Sequence, residues 1–383
     1  MNEKRKIFIV SERRADYSRF KPILREMKKD LELDFDLVIT GTHLLKKYGL
    51  TINEIKKDGF KIFSTFEMFD ENDTNDTGSK MTRSLGTVLK GITYEIENSK
   101  PDIILSGFDI AANLAATIAG AHMNIPIAHI QGGEISGTID ESIRHAMSKF
   151  AHYHFVANKD ARERLIKMGE IPERIFIVGN PSIDAMLQVK DISKKELEKE
   201  FKIDMNKPYI LIIQHPVTSE IMDTEKQINE TINAIKEIGI QSIFIYPNND
   251  AGTTKIINNI EGSNLRHVNS LSIDKYINLL KHSSALVGNS SGGIHETATF
   301  HIPTINIGTR QQGRLKAENV INVNYDKNEI KKAISKALYD KLFLDTISNC
   351  KNPYGDGTSA KKIVKLLKEI DIGQDVIQKR MTY

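Results

Sequence analysis

The chain has a single cysteine, Cys350. One thiol excludes an internal disulfide framework and a cysteine-based metal site. No apolar run approaches the roughly 20 residues that a membrane-spanning helix needs. A one-sided charge is also missing: 53 basic and 50 acidic residues leave a net charge of +3, which argues against a nucleic-acid footprint. The glycine fingerprint GxGxxG is absent, so a dinucleotide cofactor is not supported, and no cofactor is expected. No His/Asp/Glu spacing follows a metal-ligand pattern such as HExxH, so no metal is expected either. The basic start, Met1 to Lys6, runs straight into the strand-like Ile7-Phe8-Ile9-Val10 without the apolar core of a signal peptide. A cytoplasmic address is the expectation.

What is present is 383 residues of alternating strand-like and helix-like segments, enough for two cores. Short β-rich runs occupy Lys6–Val10, Phe35–Ile39, Ile103–Leu105, Ile127–Ile130 and His154–Val156. Helical patterns lie between them at Arg19–Lys28, Leu89–Asn98 and Ala112–Ala121. The second half repeats the theme, with strand candidates Tyr209–Ile213, Gln241–Tyr246, Ala285–Val287 and Thr304–Ile307. Its helix candidates are Thr224–Ile238, Ile273–His282, Ile294–Phe300 and Glu329–Tyr339. Strands alternating with helices predict parallel sheets built from βαβ units. The seam falls near residues 180–206, where Asn180-Pro181-Ser182 supplies turn chemistry. The acidic, Asn-rich stretch 69–80 reads as a functional loop.

In such folds ligands bind at the carboxyl ends of the strands, and five segments with chemistry fall there. Ser11-Glu12-Arg13-Arg14-Ala15-Asp16-Tyr17-Ser18 follows the first strand and opens a helix. Arg14 offers a charge-assisted contact to an anion, while Asp16 could equally be no more than a helix cap. Gly288-Asn289-Ser290-Ser291-Gly292-Gly293 lets backbone N–H groups approach a phosphate, and Glu296, expected inside the next helix, can accept two hydrogen bonds from a ribose diol. His215, directly after a strand, can contact phosphate or donate a proton. The densest region holds three acids near strand ends, Asp109, Glu134 and Asp140, with Thr138 as a candidate cap. Three such acids are what proton transfer at a sugar carbon would require, while Glu134 and Asp140 could equally do no more than stabilise helix N-termini. Arg310 and Arg314 sit in a Gly-flanked loop suited to an anion.

Together these segments resemble the UDP-N-acetylglucosamine 2-epimerase family, in particular its hydrolysing branch, which serves sialic acid and legionaminic acid precursor synthesis. The resemblance runs from about residue 5 to about residue 370. It rests on RADYS (14–18), GTHL (41–44), the block 123–155 containing HIQGGEISGTIDESIRH, GNPSID (179–184), HPVT (215–218), PNNDAG (247–252), GNSSGG (288–293), GTRQQGR (308–314) and YGDG (354–357). It implies two Rossmann-like domains in the glycosyltransferase-B arrangement with the active site in the cleft between them. The first would span residues 1–185, joined by a C-terminal helix within 366–383; the second, nucleotide-binding domain would span 186–365. By resemblance, Ser290, Ser291 and His215 would contact the diphosphate and Glu296 the ribose. Asn248, Leu271 and Arg310 would line the nucleotide pocket. Arg14, Ala15 and Ser18 would reach the ligand from the first domain, and His43 would lie near the sugar. The implied reaction converts UDP-N-acetylglucosamine to N-acetylmannosamine and UDP. A base removes the proton at sugar C2 as the nucleotide leaves, and water adds to the resulting glycal. A homodimer or homotetramer is implied as well.

The chain departs from the family pattern at three positions. Asp109 is kept, but Ile110 replaces an arginine, Ala112 replaces a second acid, and Gln131 replaces a glutamate. A neutral amide cannot act as acid or base, so Gln131 is expected to position a hydroxyl or water, and Asp109 and Asp140 to move the proton. The apolar Ile110 and Ala112 are expected to fit a less polar sugar, such as a GDP- or UDP-linked 2,4-diacetamido-2,4,6-trideoxyglucose. A glycosyltransferase of the same architecture and a non-catalytic nucleotide-sugar binder are the competing readings.

Overall fold

The structure is a computed structural model that describes residues 4–69, 78–135, 139–247, 252–380 and 382. Most of the loop expected at 69–80, and Thr138, lie outside these residues. From Gly78 the chain is already in the helix Gly78–Ser99.

The first strand, β1 (Arg5–Ser11), shows why the sheets form. Ile7, Phe8, Ile9 and Val10 are at most 1% exposed. Successive side chains of a strand point to opposite faces. Ile7 and Ile9 enter one core with Phe20, Ile23 and Leu24 of the helix Arg14–Lys29. Phe8 and Val10 enter another with Ala112, Ala115 and Ala119 of the helix Ala111–His122. A strand covered on both faces reads as a continuous apolar run. The remaining strands of this sheet are β2 (Leu33–Ile39), β3 (Ile62–Thr65), β4 (Ile103–Gly107), β5 (Ile127–Ile130), β6 (Tyr153–Val156) and β7 (Ile175–Ile177). All pairings are parallel, in the order β3-β2-β1-β4-β5-β6-β7.

The second sheet is also parallel and runs β10-β9-β8-β11-β12-β13. Its strands are β8 (Tyr209–Ile213), β9 (Gln241–Ile245), β10 (His267–Val268), β11 (Ala285–Gly288), β12 (Thr304–Ile307) and β13 (Val320–Val323). The helix Thr224–Ile238 buries Ile228, Ile232 and Ile235, three positions at the spacing of one helical face, in the core with Ile210 and Ile212. In each sheet the strand order reverses once, between β1 and β4 and between β8 and β11, and ligands collect at such switch points.

The chain divides into two units, residues 1–185 with 354–383, and residues 186–353. The return to the first unit therefore comes at Tyr354, ahead of the expected residue 366. Tyr354 is 1% exposed and its carbonyl accepts the N–H of Asn180 at 2.7 Å. Asp184 accepts from the N–H groups of Ser359 and Ala360 at 3.2 and 2.9 Å, fixing the start of the helix Ser359–Glu369. The expected helix Ile294–Phe300 is instead a short turn, Gly292–His295, and a 3-10 turn, Thr297–Phe300. The break falls on Glu296, which ends the first turn and opens the second at φ −109° and ψ −45°. No helix among the described residues is long and apolar enough to cross a membrane.

Candidate functional site

In the first unit the helices after β1 and β4 leave on opposite faces of the sheet, which opens a gap at its carboxyl edge. Asp16 organises one rim. Its Oδ2 accepts from the Ser11 hydroxyl at 2.8 Å and the Glu12 N–H at 2.9 Å, and its Oδ1 from the Arg13 N–H at 2.9 Å. Asp16 is thus the capping residue of the helix, although it lies inside it. Arg14 and Ala15 stay exposed on the first turn, and Ser18 is half-buried with its hydroxyl donating to the Ala15 carbonyl at 2.7 Å.

His43 is the residue expected near the sugar. It is fully buried, with Nε2 2.9 Å from Ser11 Oγ and Nδ1 2.7 Å from Thr51 Oγ1. Ser11 has already given its proton to Asp16, so it accepts from His43, which fixes the neutral tautomer with the proton on Nε2. Burial lowers the pKa of this ring to about 4. The residue braces the loop after β1.

Asp109 stands in the turn after β4, and Arg144 pairs with its Oδ2 at 2.7 Å. The same guanidinium donates through its other terminal nitrogen to the Glu134 carbonyl at 3.0 Å. Asp140 and Arg144 are one turn apart on the helix Ile139–Phe150, hence on one face. Arg144 therefore gathers the loop after β4, the loop after β5 and the helix that bears Asp140. Gln131 follows β5 in a left-handed conformation, φ 60°, and Phe108 adopts φ 67°. Non-glycine residues are costly there and persist where surroundings fix them. Arg19 ties the two together: it donates to Gln131 Oε1 at 3.4 Å and lies 4.9 Å over the Phe108 ring.

The departures at 110 and 112 do not present an apolar surface to a sugar. Ile110 is 4% exposed; Ala112 is fully buried in the core with Phe8 and Val10. The N–H of Ala112 donates instead to Glu12 Oε2 at 2.8 Å, across the switch point.

In the second unit β8 and β11 diverge in the same way. Gly288 permits the approach: at φ 128°, a Cβ on it would lie 2.1 Å from the Ile213 carbonyl. The next residue, Asn289, is fully buried and bonds both backbone groups of His215, accepting from its N–H at 2.7 Å and donating to its carbonyl at 2.9 Å. The Asn289 carbonyl in turn receives Arg310 at 3.2 Å and Gln311 at 2.8 Å. One amide so joins the loops that carry His215, Ser290 and Ser291, and Arg310. Burial and the Arg310 charge lower the His215 pKa to about 4. Its ring is therefore neutral near pH 7. Ser290 and Ser291 are half-buried, and Ser290 Oγ accepts from the Gly292 N–H at 3.3 Å. Glu296 is oriented by the Tyr276 hydroxyl, which donates to its Oε2 at 2.8 Å. Leu271 is half-buried just before the helix Ile273–His282. Asn248 lies outside the described residues.

Sequence reasoning thus missed the connecting residues Glu12, Arg19, Arg144, Tyr276 and Asn289. The i,i+4 spacing of Asp140 and Arg144 was the one readable signal among them.

The family model for UDP-N-acetylglucosamine 2-epimerase matches residues 25–368. The UDP-N,N'-diacetylbacillosamine 2-epimerase (hydrolyzing) of Legionella pneumophila is 36% identical over 99% of this chain and 100% of its own length. The UDP-N-acetylglucosamine 2-epimerase of Neisseria meningitidis is 32% identical over 87% of each chain. Among solved structures, UDP-GlcNAc 2-epimerase from Neisseria meningitidis bound to UDP-GlcNAc covers 95% of this chain and 100% of its own, with a TM-score of 0.81 at 20% identity. That last likeness shows a shared fold.

Proposed function

The chain belongs to the UDP-N-acetylglucosamine 2-epimerase family, and within it we propose that it hydrolyses a UDP-linked 2-acetamido sugar with inversion at C2, releasing UDP. The observation that carries this reading is the ion pair of Asp109 with Arg144, whose helix also bears Asp140 one turn away. It supplies carboxylates held for proton transfer at the edge where the fold collects ligands.

The second unit holds the nucleotide. Ser290, Ser291, Arg310 and the neutral His215 ring donate to the diphosphate, Glu296 accepts from the ribose hydroxyls, and Leu271 and Asn248 border the base. In the first unit Arg14, Ala15 and Ser18 meet the ligand, Asp109 and Asp140 are the carboxylates that take up the proton leaving C2, and Gln131 orients a hydroxyl or the incoming water. The C2–H bond is weakly acidic, so the barrier falls chiefly by stabilising the departing diphosphate. Each tenfold of rate needs about 1.4 kcal/mol.

The substrate we favour is UDP-N,N'-diacetylbacillosamine, supported by the 36% identity to the Legionella relative along its whole length. UDP-N-acetylglucosamine is the second reading, favoured by the 32% identity to the Neisseria enzyme. Proton NMR in deuterated water decides between them. Free UDP with a 2-epimerised sugar carrying deuterium at C2, from one of the two substrates, identifies reaction and substrate together. Epimerisation with the sugar still attached to UDP refutes hydrolysis. UDP release that depends on an added acceptor points to a glycosyltransferase.

A further inference from the structure

Glu12 is the first residue beyond β1 and takes no part in the reading above. Its side chain is 8% exposed. It passes Gly41, where a Cβ would lie 2.4 Å from Glu12 Cγ, so only glycine leaves the path open. Its backbone is held at both ends: the N–H donates to Asp16, and the carbonyl accepts from Thr42 Oγ1 at 3.2 Å. The carboxylate crosses the switch point to the Ala112 N–H, three residues beyond Asp109. That bond anchors Oε2, and Oε1 has no hydrogen bond among the described residues.

Capping the helix Ala111–His122 does not require this arrangement. A serine or asparagine at the cap position would accept the same N–H. Burying a carboxylate to do it is costly unless its proton is wanted. Burial raises the pKa of Glu12, against the pull of the Ala112 bond, with Asp16 adding to the rise and Arg13 opposing it. His43, on the turn packed beside it, is neutral and does not offset this. A carboxylic acid that holds its proton more tightly is suited to deliver one, while an ion-paired carboxylate nearby removes one.

We propose that Glu12 is a catalytic proton donor of this reaction, acting in the hydration step. This rests on the epimerase reading. After the C2 proton has gone to Asp109 or Asp140 and the C1–O bond has broken with its electron pair leaving on UDP, the glycal C1=C2 bond takes the Glu12 proton at C2. Water adds its oxygen to C1 and returns a proton to the Glu12 carboxylate. The first base gives its proton to solvent, so the sum is UDP-sugar plus water to UDP, the epimeric sugar and one proton.

The test compares the full-length wild type with Glu12→Gln and Asp109→Asn, using UDP-N,N'-diacetylbacillosamine and UDP-N-acetylglucosamine. Glutamine keeps an oxygen for the Ala112 N–H and removes only the proton. Glu12→Gln should melt within about two degrees of the wild type and bind UDP within twofold. Its kcat should fall by about 10²–10⁴, and the alkaline limb of its kcat–pH profile should vanish. A variant with kcat within threefold and the same limb overturns the proposal. Should the wild type release no UDP from either sugar, the epimerase reading has failed by itself. Glu12 is then read directly, by the difference in side-chain carboxyl carbon NMR titration between wild type and Glu12→Gln. An elevated midpoint keeps it as a built proton carrier, and one in the ordinary range of an exposed glutamate removes it.

Discussion

Replacing Asn289 by alanine tests how the second unit's edge is assembled. The side chain is fully buried and makes two hydrogen bonds, both to the backbone of His215, which is itself 7% exposed. Alanine leaves that N–H and that carbonyl without partners in a loop with little access to water. Each stranded group costs about 1–3 kcal/mol, so the pair should cost roughly 2–6 kcal/mol. The loss should be local, because the anchor joins two loops rather than filling a core. Hydrogen exchange read by mass spectrometry over 209–216 and 285–292 should show protection falling by the matching factor, roughly 30-fold or more at 1.4 kcal/mol per decade. The first unit should keep its protection. Arg310 and Gln311 lean on the Asn289 carbonyl, so UDP should bind about tenfold more weakly. Protection within a factor of two of the wild type, with unchanged UDP affinity, would refute the view that this amide assembles the site.

Three further outcomes follow from the same geometry. Arg144→Lys should lower kcat about 100-fold while leaving UDP affinity intact, since one ammonium cannot hold both Asp109 and the Glu134 carbonyl; unchanged kcat would count against the ion pair. Tyr276→Phe should weaken UDP binding about tenfold, roughly 1.4 kcal/mol for a hydrogen bond to a charged group. It should scarcely alter binding of 2'-deoxy-UDP, and equal losses for both ligands would remove Glu296 from the ribose. The third concerns pH. His43 titrates near 4 when folded and near 6.5 when unfolded, so the unfolded chain binds the extra proton between those values. Stability therefore rises with pH through that window and is lost as pH falls from about 6.5 to about 4, at up to about 1.4 kcal/mol per unit. In urea titrations a His43→Asn variant should lack this component, and parallel pH profiles for the two proteins would contradict it.

The sheets were legible where both faces of a strand are covered. Ile127–Ile130, Tyr209–Ile213 and Thr304–Ile307 coincide with the observed strands because short segments rich in isoleucine and bounded by turn residues read as buried strands. The edge strands Ile62–Thr65, Ile175–Ile177, His267–Val268 and Val320–Val323 were not. They are short and partly exposed, and their pairing is supplied by a neighbour distant in sequence. The helix Gly78–Ser99 begins well before its readable stretch, Leu89–Asn98, because its first turns hold Gly78 and Gly86 among mostly polar residues and weaken the helical signal. In the site, Asp109 and the Ser290-Ser291 loop were visible because strand ends and small polar residues mark them. The Glu12 contact was not, since its partner Ala112 is 100 residues away and is a backbone group. The enclosure of His43 by two hydroxyls was not legible for a related reason: a histidine in a Gly-Thr-His-Leu turn gives no sign of it.

Both switch points meet the same difficulty with different chemistry. Where adjacent strands send their chains to opposite faces, neither following loop can satisfy the other's backbone by main-chain pairing, so a side chain must span the gap. In the first unit that chain is Glu12, a carboxylate reaching an N–H. In the second it is Asn289, a neutral amide that both accepts and donates. The choice agrees with what each edge is proposed to hold. A carboxyl beside a sugar carbon can carry a proton, whereas a carboxylate under a diphosphate would oppose an anion in a poorly solvated loop. Asn289→Asp puts this to the test. Oδ1 keeps the bond from the His215 N–H, while the new oxygen stands where Nδ2 was, loses the bond to the His215 carbonyl, and sets a charge against both that carbonyl and the incoming phosphates. It should therefore stabilise the edge better than alanine at pH 5, where protonation restores a donor, yet bind UDP more weakly than alanine at pH 8. An aspartate variant that binds UDP as well as the alanine variant at pH 8 would show that no anion is held over this amide.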